Sequence, residues 1–199
     1  MTNVDFWFEF GSTYSYPAAM RIEPLARERG VQVSWRAFLL GPIFRAQGWN
    51  DSPFNLYEPK GRYMWRDLER ICAAQHIPLR RPSEFPRNGL LAARVACRFA
   101  DTPWLPDFVR AVYRVNFEED LDISEPATVV RCLASSGEDP DALLNEAQSQ
   151  ESKDLLRLQT EEAARLGIFG APSFLVGREL FWGNDRLEDA LTWAVEHAA

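Results

Sequence analysis

The chain is poor in the side chains that usually carry redox, metal or acid–base chemistry, with three cysteines and two histidines in 199 residues. Cys72, Cys97 and Cys132 are odd in number, far apart and set inside apolar periodic stretches, so they are expected as buried small hydrophobes. His76 and His197 stand alone, and neither CxxC nor HExxH occurs. A metal centre needs clustered ligands at short spacing, so no metal is expected. Positive charge is also short: a net charge of -7 and a pI near 5.0 leave no basic stripe for phosphates, and nucleic acid is not an expected partner. Apolar runs fall far below the roughly 20 residues that cross a bilayer, so no membrane partner is expected. Asp5 and Glu9 interrupt the stretch where a secretory signal would carry about 7 to 15 apolar residues, and the expected compartment is the cytoplasm.

What is present suits a globular protein, at 46% hydrophobic and 26% charged residues. Residues 3–10 (NVDFWFEF) are aromatic and partly alternating, which predicts a strand, with a turn at Gly11. Ala18, Ala19, Ile22, Leu25 and Ala26 recur at helical spacing, and Gly30 stands where a left-handed C-cap is wanted. In VQVSWRAF the residues Val31, Val33, Trp35 and Ala37 alternate with polar ones, which predicts a second strand. Residues 41–62 are broken by Gly, Pro, Asn and Asp and show no sustained period. They read as a long ordered loop bordering the site. From Tyr63 to Leu166 the pattern is helical, and the tail returns to strands at SFLV and ELFW. Gly177-Arg178 joins these runs with glycine first, which predicts a type II′ hairpin before a final amphipathic helix from Asp185.

This order is an α/β one, and it resembles a thioredoxin-like fold with a large all-helical insertion. Residues 1–62 and 167–199 would form the thioredoxin-like domain and residues 63–166 the insertion.

Ser12 follows the first strand at the mouth of a helix, where free backbone N–H groups and the positive helix end favour an anion. A plain helix cap fits the same position. Pro17 either falls in the first turn of a helix starting near Ser15 or kinks it. A serine nucleophile is not expected, because no base pairs with it recognisably. Asp185 and Glu188 have the spacing of a capping-box variant. Arg36 is placed to meet a substrate carboxylate or to stand on an exposed face.

The segments FWFEFGSTYSYPA, LYEPKGRYMWRDLER, DISEP, GIFGAPSFLV and ELFWGNDRLEDAL resemble, in order and over almost the whole chain, the 2-hydroxychromene-2-carboxylate isomerases and kappa-class glutathione transferases of the DsbA-like branch. Thr13 stands where that family often has proline. The resemblance implies glutathione as cofactor, with Ser12 donating a hydrogen bond to its thiolate. It implies a cis bond before Pro172, which exposes the Ala171 backbone to the glutathione peptide, although X–Pro bonds are cis in only about 5 to 6% of cases. It places Trp182, Gly183, Asn184 and Asp185 at the γ-glutamyl end, and Asn50 and Lys60 at the glycyl and peptide portions. A solvated surface charge is the other reading of Lys60.

The implied activity is isomerisation of 2-hydroxychromene-2-carboxylate, or a similar aromatic-degradation intermediate, by reversible thiolate addition in a homodimer. Phe38, Phe44, Trp49 and Phe54 would give a flat small-molecule aromatic substrate its slot, or belong to the core. A kappa-like transferase or peroxidase and a non-catalytic glutathione-binding module stay open. A thiol–disulfide oxidoreductase does not fit, since FGSTYS lacks cysteine.

Overall fold

The computed structural model describes residues 2–197. Strand β1 (Asn3–Phe8) pairs in parallel with β2 (Gln32–Ala37) and antiparallel with β3 (Ser173–Val176), which pairs antiparallel with β4 (Glu179–Trp182). The sheet order is β2-β1-β3-β4, so the two ends of the chain build one mixed sheet. Register sets Phe6 between Trp35 and Phe174, with ring centroids 5.1 and 5.4 Å away. Such cross-strand aromatic rows fix a sheet's register, because a slip of one residue would turn every ring to the other face.

Helix α1 (Ser15–Glu28) crosses from β1 to β2 and buries Ala18, Ala19, Ile22 and Ala26. It starts at Ser15, so Pro17 lies in the first turn, where the backbone N–H it lacks would have had no intrahelical partner. Gly177 joins β3 to β4 at a φ of 61°, which glycine adopts without strain.

The stretch expected as a long loop is largely helical: α2 (Leu40–Ala46), α3 (Pro53–Leu56) and the start of α4 (Glu58–Ala74). Its prolines sit at helix starts rather than at breaks. Ser52 caps α3 by accepting from Phe54 N–H at 3.3 Å. Periodicity was silent because α2 buries only Ile43 and α3 buries nothing. Gly61 fits α4 against α3, since a Cβ there would strike the Phe54 carbonyl. Helix α4 also runs through the expected domain boundary at residues 62 and 63.

Helices α5 (Leu90–Arg98), α6 (Leu105–Phe117), α7 (Pro126–Leu133), α8 (Pro140–Ala147) and α9 (Gln150–Arg165) complete the central block. A 3-10 turn (Asn184–Arg186) leads into α10 (Leu187–Glu196). Val4, Phe6 and Phe8 belong to one large hydrophobic cluster shared with α1, α4 to α8 and α10. Trp7 points the other way, into a smaller cluster with Phe38, Ile43, Ala163 and Leu175. A central strand covered on both faces therefore loses its simple alternation. The expected capping box does not form: Arg186 is the N-cap without a side-chain bond, and Glu188 instead pairs with Arg21 at 2.7 Å.

Candidate active site

Where β1 ends, the chain turns sharply, with Ser12 N–H donating to the Glu9 carbonyl at 3.0 Å. The turn delivers Ser12 to the N-terminus of α1. Its hydroxyl accepts from Ser15 N–H at 3.3 Å and donates to the Ala171 carbonyl at 2.9 Å. One side chain thus takes up a free N–H of the first helical residue and ties α1 to the loop ahead of β3, 159 residues away in sequence. The Ala171-Pro172 bond is cis, and so is Phe85-Pro86.

The two loops meet at a cavity of about 1240 Å³. Ser12, Ala171, Trp182 and Gly183 line it on one side with Asn184 and Asp185, and Asn50 and Lys60 reach it from the α2–α4 segment. Pro172 is buried behind the wall, where its carbonyl accepts from Gly183 N–H at 2.9 Å and holds the two cavity-lining segments together. Arg36 does not reach the cavity; it sits on the outer strand β2, 3.6 Å from Asp5, facing a smaller hollow. Of the aromatics, Phe44, Trp49 and Phe54 line the wall, whereas Phe38 is fully buried beneath Trp7. Lys60 Nζ lies 5.5 Å from the centre of the Phe54 ring, a cation–π distance.

The polar atoms are unevenly satisfied. Asn184 is 7% exposed, yet its Oδ1 has no hydrogen-bond partner among the described residues. A buried acceptor left unpaired costs on the order of 1 to 3 kcal/mol, so a donor from a ligand is the natural complement. Tyr14 OH donates to Asp67 Oδ2 at 2.9 Å on the cavity wall, and burial with this anionic partner pushes its ionisation up.

Sequence reasoning passed over Glu9, whose carboxyl lines the cavity and is pushed up by burial to about 7. A charged residue at a strand end reads as a solvent-facing one, so the letters gave no signal.

No thiol lines the cavity. Burial raises Cys72 and Cys97 to about 11 and Cys132 to about 12, which leaves all three as inert thiols at neutral pH. Among the described residues no group of three or more His, Cys, Asp or Glu is placed to hold a metal, and no helix is long and apolar enough to cross a membrane.

A mixed four-stranded sheet with Ser12 at the mouth of the helix after β1 directs the comparison with known proteins. The model of the DSBA-like thioredoxin domain matches residues 3–192. The chain belongs to the DSBA-like thioredoxin family. Within it, the chain groups with the 2-hydroxychromene-2-carboxylate isomerases and their kappa-class relatives. It is 32% identical over 186 residues to the isomerase of that name from Sphingobium xenophagum, covering 93% of this chain and 94% of the relative. It is 25% identical to glutathione S-transferase kappa 1 of Homo sapiens, covering 93% of this chain and 87% of the relative. A solved 2-hydroxychromene-2-carboxylate isomerase superposes with a TM-score of 0.81 at 27% identity, over 93% of this chain and 90% of that one. The isomerase relatives support an isomerase-type enzyme for this member of the DSBA-like family.

Proposed function

We propose that this DSBA-like protein is a glutathione-dependent isomerase acting on 2-hydroxychromene-2-carboxylate or a similar aromatic-degradation intermediate. The observation that carries the reading is the pairing, on one cavity wall, of the Ser12 hydroxyl at a helix N-terminus with the unpartnered Asn184 acceptor. A γ-glutamyl tripeptide has the matching chemistry: an ammonium and amides to donate, carboxylates to accept, and a sulfur between them.

When bound, glutathione supplies the nucleophile, a thiolate that adds reversibly to a conjugated carbon so that the former double bond can rotate. The residues of the chain hold and tune it. Asn184 Oδ1 accepts from the γ-glutamyl end, and Asp185 balances its ammonium. Asn50 and Lys60 receive the opposite end across the cavity. Ser12 has a single proton, now given to the Ala171 carbonyl. For the hydroxyl to serve a thiolate it must release that carbonyl, which then accepts from the glutathione peptide as one added strand residue. Helix end and charge-assisted hydrogen bond each contribute about 1 kcal/mol or more. Together they match the roughly 2 kcal/mol needed to bring a thiol from a pKa of about 8.5 to about 7. Phe44, Trp49 and Phe54 give the flat ring of the substrate an apolar wall. Arg36 lies outside the cavity and takes no part.

The test is interconversion of 2-hydroxychromene-2-carboxylate and trans-hydroxybenzylidenepyruvate by purified protein with and without glutathione. Turnover only with glutathione supports the reading; equal rates without it end it. The kappa-class relative favours a second reading, transferase or peroxidase, in which chlorodinitrobenzene is conjugated or hydroperoxide consumed while isomerisation is negligible. We further propose a cytoplasmic homodimer, which a monomeric sedimentation profile at micromolar concentration would refute.

A further inference from the structure

Ionising a thiol needs somewhere for its proton to go, and Ser12, with its one proton already donated, has no hydrogen-bonded base beside it among the described residues. We propose that Glu9 is the proton acceptor of the site: its carboxylate, on the same tight turn and the same cavity wall as Ser12, takes the proton of the bound thiol. This rests on the reading of the cavity as a glutathione site.

The geometry is local. Glu9 to Ser12 is a four-residue turn closed by the Ser12 N–H to Glu9 C=O bond, which keeps their Cα atoms within about 7 Å. Glu9 lines the cavity; its Oε2 is anchored by Gly11 N–H at 3.0 Å, while Oε1 has no hydrogen-bond partner among the described residues. The backbone beneath is pinned from α6, where Tyr113 OH donates to the Glu9 carbonyl at 2.9 Å. The carboxyl is therefore held, half-buried, with one oxygen committed and one available.

None of the surrounding charges pairs with the Glu9 carboxyl among the described residues. Tyr113 of α6 has its own ionisation pushed far up by burial. Arg87, from the segment before α5, brings its backbone carbonyl near Gly11 but turns its guanidinium onto Asp120, Asn116 and the Leu121 carbonyl. Tyr14 of α1 and Asp67 of α4 are bonded to each other, and Arg45 of α2 and Asp185 line the wall without pairing to Glu9. With no cation to hold it ionised, burial leaves the carboxyl at about 7, where it can both take and return a proton.

The step balances on the atoms present. The S–H bond breaks, an O–H bond forms at Glu9 Oε1, and the electron pair stays on sulfur. Departure of the ligand reverses it, and no oxidant or reductant is needed. Sulfur and carboxyl then titrate as one coupled pair: the adjacent thiolate lifts the carboxyl above its value in the empty site, so the pair keeps one shared proton at pH 8.

The test measures protons and does not depend on turnover. Glutathione binding is followed at pH 8 by calorimetry in two buffers of different ionisation enthalpy, with thiolate absorbance near 240 nm read in parallel and S-methylglutathione as the thiol-free control. The wild-type protein should show thiolate absorbance with close to zero protons released. Glu9→Gln, which keeps the acceptor for Gly11 N–H, should release about one proton per thiolate formed or lose the thiolate signal. A full proton released by the wild type, the same count in both proteins, or no thiolate in the wild type would overturn the assignment. Absence of glutathione binding altogether would instead sink the functional reading beneath it. As a second readout, the acid limb of kcat/KM near pH 7 should disappear in Glu9→Gln, with the rate at pH 8 lowered on the order of 100-fold.

Discussion

Replacing Ser12 by alanine removes two hydrogen bonds that have nothing to do with a ligand, so its effect on the empty protein can be worked out. The hydroxyl's bond to the Ala171 carbonyl, at 2.9 Å, is a neutral one worth about 1 kcal/mol net. Its acceptance from Ser15 N–H, at 3.3 Å, satisfies a free donor at the start of α1 and is worth about 1 kcal/mol as well. The two together come to about 2 kcal/mol. For a chain of 199 residues this lowers Tm by about 4 to 8 °C. Urea unfolding without glutathione checks it: the midpoint should fall while the slope stays constant, since neither state changes its exposed surface. A variant as stable as the parent would refute the argument, because it would mean that Ser12 does not join α1 to the loop before β3. Isomerase activity should fall far more steeply than stability, since the fold loses a tie but the sulfur loses its donor.

Three further outcomes follow from buried groups. Asn184→Leu should weaken glutathione binding at least tenfold while leaving the empty protein equally or more stable, because it deletes an unpaired buried acceptor; calorimetry and thermal melts separate the two effects. Glu9 has a folded pKa raised from 4.5 to about 7, so the folded state holds the proton more tightly. Its contribution is fully present below about pH 4.5 and is lost as pH rises through 7, by up to about 3 kcal/mol. Glu9→Gln should flatten that part of the stability profile, and an unchanged slope would show that the carboxyl is not desolvated. Finally, Cys72, Cys97 and Cys132 should resist a disulfide reagent at pH 8 for many minutes in the native protein and react together in urea; rapid native labelling would contradict the raised thiol pKa values.

Much of the frame was legible because it depends on local pattern. The helical stripe of α1, the alternation around Trp35 and the Gly177-Arg178 turn each carry a period or a dihedral requirement in their letters. The α2–α4 segment was not legible, because helices that bury one residue or none leave no stripe. Phe38 read equally as slot or core from its letters, and the chain turns it under Trp7 into the core. Arg36 shows the limit of alternation, which gives the face of a strand but not what lies opposite. Asn184 and Glu9 mark the deepest gap. An unmet hydrogen bond and a desolvated carboxyl are properties of the packed surroundings, and the sequence letters at those positions do not encode them.

The account turns on the sulfur of glutathione meeting Ser12, and electron density after soaking crystals with glutathione tests that contact directly. The sulfur should lie within about 3.5 Å of Ser12 Oγ, with the γ-glutamyl end on Asn184 and the Ala171 carbonyl released from its present bond. Glutathione bound with its sulfur turned away from Ser12, or not bound in this cavity at all, would contradict it.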